Sequence, residues 1–413
     1  MRDNSTITMT TTPSLTTPAD LSDAHGLSQS LQGHIAEVIA RSGGWIGFDR
    51  YMELALYTPR LGYYAHGSAK FGAMPQGLRD GSGTLRGAGS DFVTAPEMTP
   101  LFGYALARQV AQALQQTGTT TLWEFGAGSG ALALQLLKAL AAMGQEVTRY
   151  CIVDLSDSLR TRQHDTLKDH LDTVCWVGAL PQQMEGVVIG NEVLDAMPVR
   201  LLSRVKGEWF ERGVELADVA EVAVAASGQF DLPASRFRWA DRTTALRFPR
   251  EIPGTHDYLS ELHQQGEAFI RTLAGHLSKG AIFMIDYGFP EAEYYHPQRH
   301  MGTVMCHHAH QADPDPLSNA GLKDITAHVN FTSIAVAAQD AGLELLGYTC
   351  QAHFLINCGL IDLMQESTLA HRAAGQKLIM EHEMGELFKV IGWVKGPIFD
   401  ALGFSNGDRS HRL

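Results

Sequence analysis

The sequence predicts an α/β protein built on a doubly wound, Rossmann-like parallel sheet, with an added N-terminal helical segment and inserted elements on the substrate side. Three observations predict it. Residues 122–140 (LWEFGAGSGALALQLLKAL) read as a buried strand, a glycine-rich turn and an apolar helix. Short apolar runs alternate with helical stretches through 149–202 and return at 281–288, the order that builds a parallel sheet. Acidic and amide side chains then fall at the carboxyl ends of those runs, the edge where such sheets hold ligands.

Composition sets the outer bounds. The chain has 413 residues, enough for roughly two or three domains. Its 45% hydrophobic and 19% charged content is that of an ordinary globular protein. A formal net charge of −13 argues against nonspecific binding to nucleic acid or to an anionic membrane. No apolar run approaches the length of a membrane-spanning helix. The five cysteines form no C-x-x-C pair, so no disulfide framework or zinc knuckle is indicated, and a reducing compartment is expected. The sequence sets no oligomeric state.

Residues 1–30 are rich in Thr, Ser and Pro and read as a disordered tail. They lack the apolar core of a signal peptide and the arginine-rich, acid-poor composition of a transit peptide, which points to a bacterial cytoplasm, or the mitochondrial matrix if the chain is eukaryotic. Residues 31–118 read as an N-terminal helical and lid segment. Leu31, Ile35, Val38 and Ile39 have helical spacing, and a short helix is expected at 49–56 with Asp49 as its N-cap. Residues 71–90 are glycine-rich and poor in hydrophobics, as in a lid over a site. Pro100 can start the next helix, and Thr94, Pro96 and Glu97 just before it serve either as turn and cap chemistry or as a ligand-touching loop.

The first strand ends in Trp123, Glu124 and Phe125, and Gly126, Gly128 and Gly130 form a G-x-G-x-G turn. A dinucleotide fingerprint wants two residues before its last glycine; here there is one. The second strand, in 149–156, ends at Asp154, about 24 residues past the turn, where an acid can hold a ribose diol. Glu124 suits the positive amino group of an amino-acid moiety. Together these fit S-adenosylmethionine better than NAD.

A helix at 157–170, a short strand at 173–178 and a fourth strand at 187–189 follow, with Asn191, Glu192 and Asp195 beyond it. Residues 199–216 read as a hairpin split at Lys206-Gly207, 251–279 as holding a long helix, and 281–288 as a buried strand ending at Asp286. Tyr287 there either lines a substrate channel or is a strand-end aromatic. Residues 305–310 (MCHHAH) tempt a metal assignment. Adjacent histidines on a strand point to opposite faces and the spacing matches no zinc motif, so no metal is assigned. A strand is expected at 343–350 and a helix at 370–390. The main domain then spans 119–350, with its substrate-side insertion at about 200–280, and 351–413 is a C-terminal helical segment.

The ordered series GYYA (62–65), DFVTAPE (91–97), LFGYAL (101–106), WEFGAGSG (123–130), VDLS (153–156), NEVLDAMPV (191–199), DYG (286–288) and DITAHVNF (324–331) resembles the MidA-type methyltransferases over most of the chain. That family includes the mitochondrial protein arginine methyltransferase needed for respiratory complex I assembly. The resemblance implies a class I methyltransferase sheet, S-adenosylmethionine as cofactor, and arginine in a protein substrate, a respiratory complex subunit among the partners. With the residue reading above, the cofactor is expected against Thr94, Pro96, Glu124, Gly126, Gly128, Gly130, Asp154, Leu155, Ser156, Asn191 and Glu192.

Glu192 and Asp195 would share a helix face, either as acids stabilising a first helical turn or as a clamp taking parallel N–H bonds from a guanidinium. Glu97 is a candidate second clamp and His328 a candidate general base. A scaffold that binds the cofactor without turnover, or a small-molecule methyltransferase, remains open, because a fold fixes the cofactor and not the acceptor.

Overall fold

The computed structural model describes residues 18–65, 78–79, 85–86, 94–154, 157–217, 236–308 and 311–413. Seven strands make the main sheet: β1 (Thr121–Phe125), β2 (Arg149–Val153), β3 (Val174–Trp176), β4 (Met184–Asn191), β5 (Leu277–Phe289), β6 (Glu344–Cys350) and β7 (Phe388–Lys395). Their spatial order is β3-β2-β1-β4-β5-β7-β6. β1 to β5 run parallel to one another, and β7 lies antiparallel between β5 and β6. The two-residue strand Val329–Asn330 extends the carboxyl end of β5.

Near-continuous apolar runs in the central strands follow from burial on both faces. Val187 and Ile189 of β4, with Ala281, Phe283 and Ile285 of β5, pack into one core beneath the helices Leu101–Thr117 and Ala131–Ala142. The intervening Val188, Ile282 and Met284 pack into a second core with the helices Gln264–His276 and Phe331–Asp340. The two-residue strand period thus supplies both layers at once. The helix Leu101–Thr117 stops at Gly118, whose φ of 59° closes it in the left-handed conformation.

A smaller antiparallel sheet holds the inserted strands Arg200–Val205, Glu208–Leu216, Phe237–Thr243 and Tyr258–Leu262, with Ile46–Gly47 at its edge. The expected hairpin is present and turns at Lys206 and Gly207, with φ of 51° and 85°. Leu31, Ile35, Phe48 and Tyr51 from the N-terminal helices share a core with Val214 and Phe237 of this sheet, so the N-terminal segment and the insertion form one layer.

Several expectations change. The helix Pro18–Arg41 takes in residues 18–30 of the expected tail, because Ser28 is buried and donates to Ala320 O at 2.9 Å; residues 1–17 lie outside the described residues. The second helix is Phe48–Tyr57, with Gly47 rather than Asp49 at its cap position. Most of the expected lid at 71–90 lies outside the described residues. The expected long helix at 251–279 is a strand, Tyr258–Leu262, followed by a shorter helix, since pairing with Arg200–Val205 overrides local propensity. The expected helix at 370–390 ends at Ile379, and β7 follows. Its KVIGWV run reads equally as buried helix or buried strand; a partner on each side decides for strand.

Candidate active site

β1 delivers the glycine turn to the carboxyl edge. Gly126, Gly128 and Gly130 have φ of 64°, 53° and 84°, a conformation that disfavours other residues. A Cβ at Gly126 would also stand 3.2 Å from Val193 Cγ2. The turn is fixed by bonds from Gly126 N to Val153 O (3.1 Å) and from Gly130 N to Ala127 O (2.8 Å). Glu124 Oε2 accepts from the Tyr150 hydroxyl at 2.6 Å. Burial pushes its carboxyl up to about 7; the Tyr150 bond opposes this and Asp154 adds to it.

Asp154, at the end of β2, is held by a residue that sequence reasoning missed. Gln163 is fully buried, and its Nε2 donates to Asp154 Oδ2 at 2.9 Å and to Gly128 O at 3.0 Å. Its Oε1 accepts from Trp176 Nε1 at 2.9 Å. One side chain therefore ties the acid, the glycine turn and β3 together. Its neighbours in RTRQHDT are nearly all hydrophilic, so only the helix's placement over the turn marks it.

β4 supplies Asn191, Glu192 and Asp195. The turn beyond it is not helical, so the expected shared helix face is replaced by an anchor from β5. Asp286 Oδ2 accepts the backbone N–H groups of Val193, Leu194 and Asp195 at 3.1, 2.9 and 3.2 Å, and Oδ1 accepts that of Tyr287 at 3.0 Å. Glu192 sits at a φ of 54° and its Oε1 accepts from Asn191 Nδ2 at 3.0 Å. Desolvation, then the neighbouring Asp195, push Glu192 up to about 8, against the Asn191 bond. Desolvation likewise lifts Asp195 to about 6, against a bond from the Tyr287 hydroxyl. Asp195 Oδ1 and Asn191 Oδ1 are buried without hydrogen-bond partners.

These groups face a cavity of about 650 Å³. Its described lining carries seven carboxyl side chains (Glu53, Glu97, Glu124, Asp154, Glu192, Asp195 and Asp324), one histidine, His307, and no Lys or Arg. Burial is the main cause of the raised carboxyl values of Glu124, Glu192 and Asp195, and the neighbouring acids add to it for Glu124 and Glu192. Glu53, also in the lining, is paired with Arg50 at 2.6 Å. Thr94, Pro96, Gly126, Gly128 and Asn191 also line it, as does Tyr287. Glu97 accepts a hydrogen bond from Ser129 Oγ on the glycine turn. Gly130 stands outside the lining and shapes the start of the following helix. Leu155 and Ser156 lie outside the described residues.

His328 is not brought to the cavity. Its ring stacks on Phe289 at 5.3 Å and meets Tyr287 edge-on at 5.1 Å. Burial, then Arg299, hold its pKa down to about 4, so it sits neutral behind Tyr287 and its placement does not suit the general-base role. Sequence reasoning also left Tyr57 and Tyr64 unassigned. Both line the cavity, and Tyr64 donates to Asp324 Oδ1 at 2.8 Å. GYYA and DITAHVNF held two of these three residues, but nothing local marks which side chains turn inward.

The family model for S-adenosyl-L-methionine-dependent methyltransferases matches residues 105–349. The chain belongs to this family. A Burkholderia thailandensis protein crystallised with S-adenosyl-homocysteine is 46% identical, with a TM-score of 0.84 over 97% of this chain and all of that one. A native crystal structure from the same organism is 44% identical, with a TM-score of 0.81 and the same coverage. Among curated relatives, the human mitochondrial protein arginine methyltransferase NDUFAF7 is 26% identical over 398 residues, covering 84% of this chain and 80% of that protein. The Drosophila melanogaster homologue is 26% identical over 443 residues, covering 96% and 94%.

The MidA-type resemblance and the Rossmann-like class I methyltransferase fold are thereby established, and the chain is an S-adenosylmethionine-dependent methyltransferase. The site fits that cofactor. A sulfonium and an ammonium suit a lining of acids without Lys or Arg, and Gly126 and Gly128 line the cavity with backbone alone.

Proposed function

We propose that this methyltransferase acts on arginine in a protein substrate. The observation that carries the reading is the cavity with seven carboxyls and no Lys or Arg in its described lining, which calls for cations on both the donor and the acceptor side. When bound, S-adenosylmethionine would supply an electrophilic methyl group, with S-adenosyl-homocysteine as the leaving group and the proton displaced from the acceptor nitrogen passing to water.

The chain's own residues would do the rest. Asp154, steadied by Gln163, would take the ribose hydroxyls, and Glu124 would face the amino group. Glu192 and Asp195 would accept parallel N–H bonds from the guanidinium and aim one nitrogen at the methyl. The positive guanidinium would favour the ionised form of both acids, with the larger effect at Glu192, which stands at about 8 against about 6 for Asp195. Glu97, bonded to Ser129 on the glycine turn, is the candidate second clamp. The curated relatives, named as mitochondrial protein arginine methyltransferases, support a protein substrate and a mitochondrial setting for eukaryotic members. A respiratory complex subunit is the first candidate on the family resemblance alone. Among the described residues no helix is long and apolar enough to cross a membrane. A bacterial cytoplasm is the setting we propose for this chain.

The test is mass spectrometry of candidate proteins incubated with the enzyme and S-adenosylmethionine, alongside release of S-adenosyl-homocysteine. Methylarginine together with release supports the reading. Methylation of lysine or of a small molecule alone overturns the acceptor, and cofactor binding without release overturns turnover.

A further inference from the structure

Tyr57 closes the helix Phe48–Tyr57, and the chain folds straight back on it. Tyr63 N and Tyr64 N donate to Ala55 O and Leu56 O, both at 2.9 Å. Only glycine fits at Gly62, where a Cβ would stand 2.6 Å from Leu56 O. The return sets the Tyr64 ring against Tyr57, with centroids 5.6 Å apart and planes 21° from parallel, and Tyr63 backs Tyr64 edge-on at 5.0 Å. Both hydroxyls are committed: Tyr57 donates to Ala196 O and Tyr64 to Asp324 Oδ1, each at 2.8 Å. The pair therefore presents aromatic surface to the cavity rather than hydroxyl donors.

Asp195 adjoins the Ala196 contact and lines the same cavity. It is 4% exposed, and its Oδ1 has no hydrogen-bond partner. Tyr57 also lies within electrostatic reach of Asp324, Asp195 and, on the cofactor side, Asp154. An unpartnered buried carboxyl oxygen beside a fixed aromatic wall is matched by one kind of ligand. A guanidinium is planar and weakly hydrated, stacks on rings and offers paired donors along an edge. An ammonium is compact, strongly hydrated and has no flat face.

We propose that the Tyr57–Tyr64 wall, with Asp195 and Asp324 beside it, selects the methyl acceptor by taking a planar delocalised cation and passing over a compact ammonium. This rests on the arginine reading above and adds the element that enforces it.

The experiment titrates N-acetyl-arginine methylamide and N-acetyl-lysine methylamide into the full chain saturated with S-adenosyl-homocysteine. The expected result is a preference for the arginine probe of about tenfold, which drops to about threefold or less in Tyr57→Leu and Tyr64→Leu, the loss of one ring contact. Tyr57→Phe keeps the ring and should keep the preference. Affinity for S-adenosyl-homocysteine, measured on each variant, reports whether the fold and the donor half survive. On the unaltered protein, the side-chain protons of the arginine probe should also show upfield ring-current shifts in NMR spectra, a readout independent of whether the leucine variants fold. A preference that persists in both leucine variants, or a bound arginine probe without ring-current shifts, overturns the wall while leaving the arginine reading intact. Equal binding of the two probes by the unaltered protein overturns both.

Discussion

Gln163→Met tests the link between the glycine turn and Asp154. Methionine keeps the volume and removes the bonds to Gly128 O, Asp154 Oδ2 and Trp176 Nε1 together. A neutral bond contributes about 0.5–1.5 kcal/mol net, and one to a charged group about 1.5–3 kcal/mol. Two of the three are neutral and one meets a carboxylate, so the total loss is roughly 2.5–6 kcal/mol. It divides between two readouts. The Trp176 bond ties the helix to β3 and belongs to folding, whereas Asp154 and Gly128 belong to the ligand's edge. If about half falls on binding, affinity for S-adenosyl-homocysteine drops by about eightfold to about 140-fold, at 1.4 kcal/mol per tenfold. Isothermal titration measures that part and urea unfolding the remainder. A variant within about twofold in affinity and about 0.5 kcal/mol in stability would refute the reasoning, because at least one buried acceptor must then have found a partner that the geometry does not contain.

The other predictions use the same geometry. Glu124 and Glu192 are lifted from 4.5 to about 7 and about 8, so the folded apoprotein binds protons more tightly than the unfolded chain. Their contribution is fully present below about pH 4.5 and is lost as pH rises through 7 to 8. The melting temperature of the apoprotein should therefore fall between pH 5.5 and 8.5, less steeply in Glu192→Gln; an unchanged slope in that variant counts against the assignment. Glu192→Gln should lower kcat about ten- to hundredfold, the value of a charge-assisted bond, with affinity for S-adenosyl-homocysteine far less affected, read by steady-state kinetics and titration. Gly126→Ala adds a Cβ 3.2 Å from Val193 Cγ2 at a φ of 64° and should cost about 1–2 kcal/mol in stability, measured by denaturant unfolding. Lys206→Asn, at a hairpin position with a φ of 51°, should raise stability by a few tenths of a kcal/mol in the same assay.

The parallel half of the sheet was legible because its signals are local. β1, the glycine turn and the helix after it are contiguous, and the acids that follow each strand must lie at one edge once the strands run parallel. β7 was not legible, because FKVIGWVK is apolar throughout and becomes a strand through antiparallel partners supplied by residues 277–289 and 344–350. Tyr57, Tyr64 and Asp324 were lost for a related reason. They come together through contacts of the N-terminal segment with Ala196 and Asp324, which span more than 100 residues of sequence.

Asp286 shows where residue type and edge position stop being informative. Sequence puts it beside Glu192 and Asp195 at the carboxyl edge, which is where it stands, yet it turns away from the cavity and gathers four backbone N–H groups. Those bonds hold the turn on which Asp195 is mounted. The two acids therefore need each other in different ways: Asp286 spends its oxygens on the chain so that Asp195 can keep Oδ1 without a partner. Asp286→Ala should orphan those N–H groups, at about 1–3 kcal/mol for each that water does not reach. It should abolish acceptor binding before it abolishes cofactor binding, because β1 and β2 hold the glycine turn and Asp154 without it. Titrating the variant with S-adenosyl-homocysteine and then with N-acetyl-arginine methylamide separates the two, and equal losses for both ligands would show that the turn and the donor half are one unit.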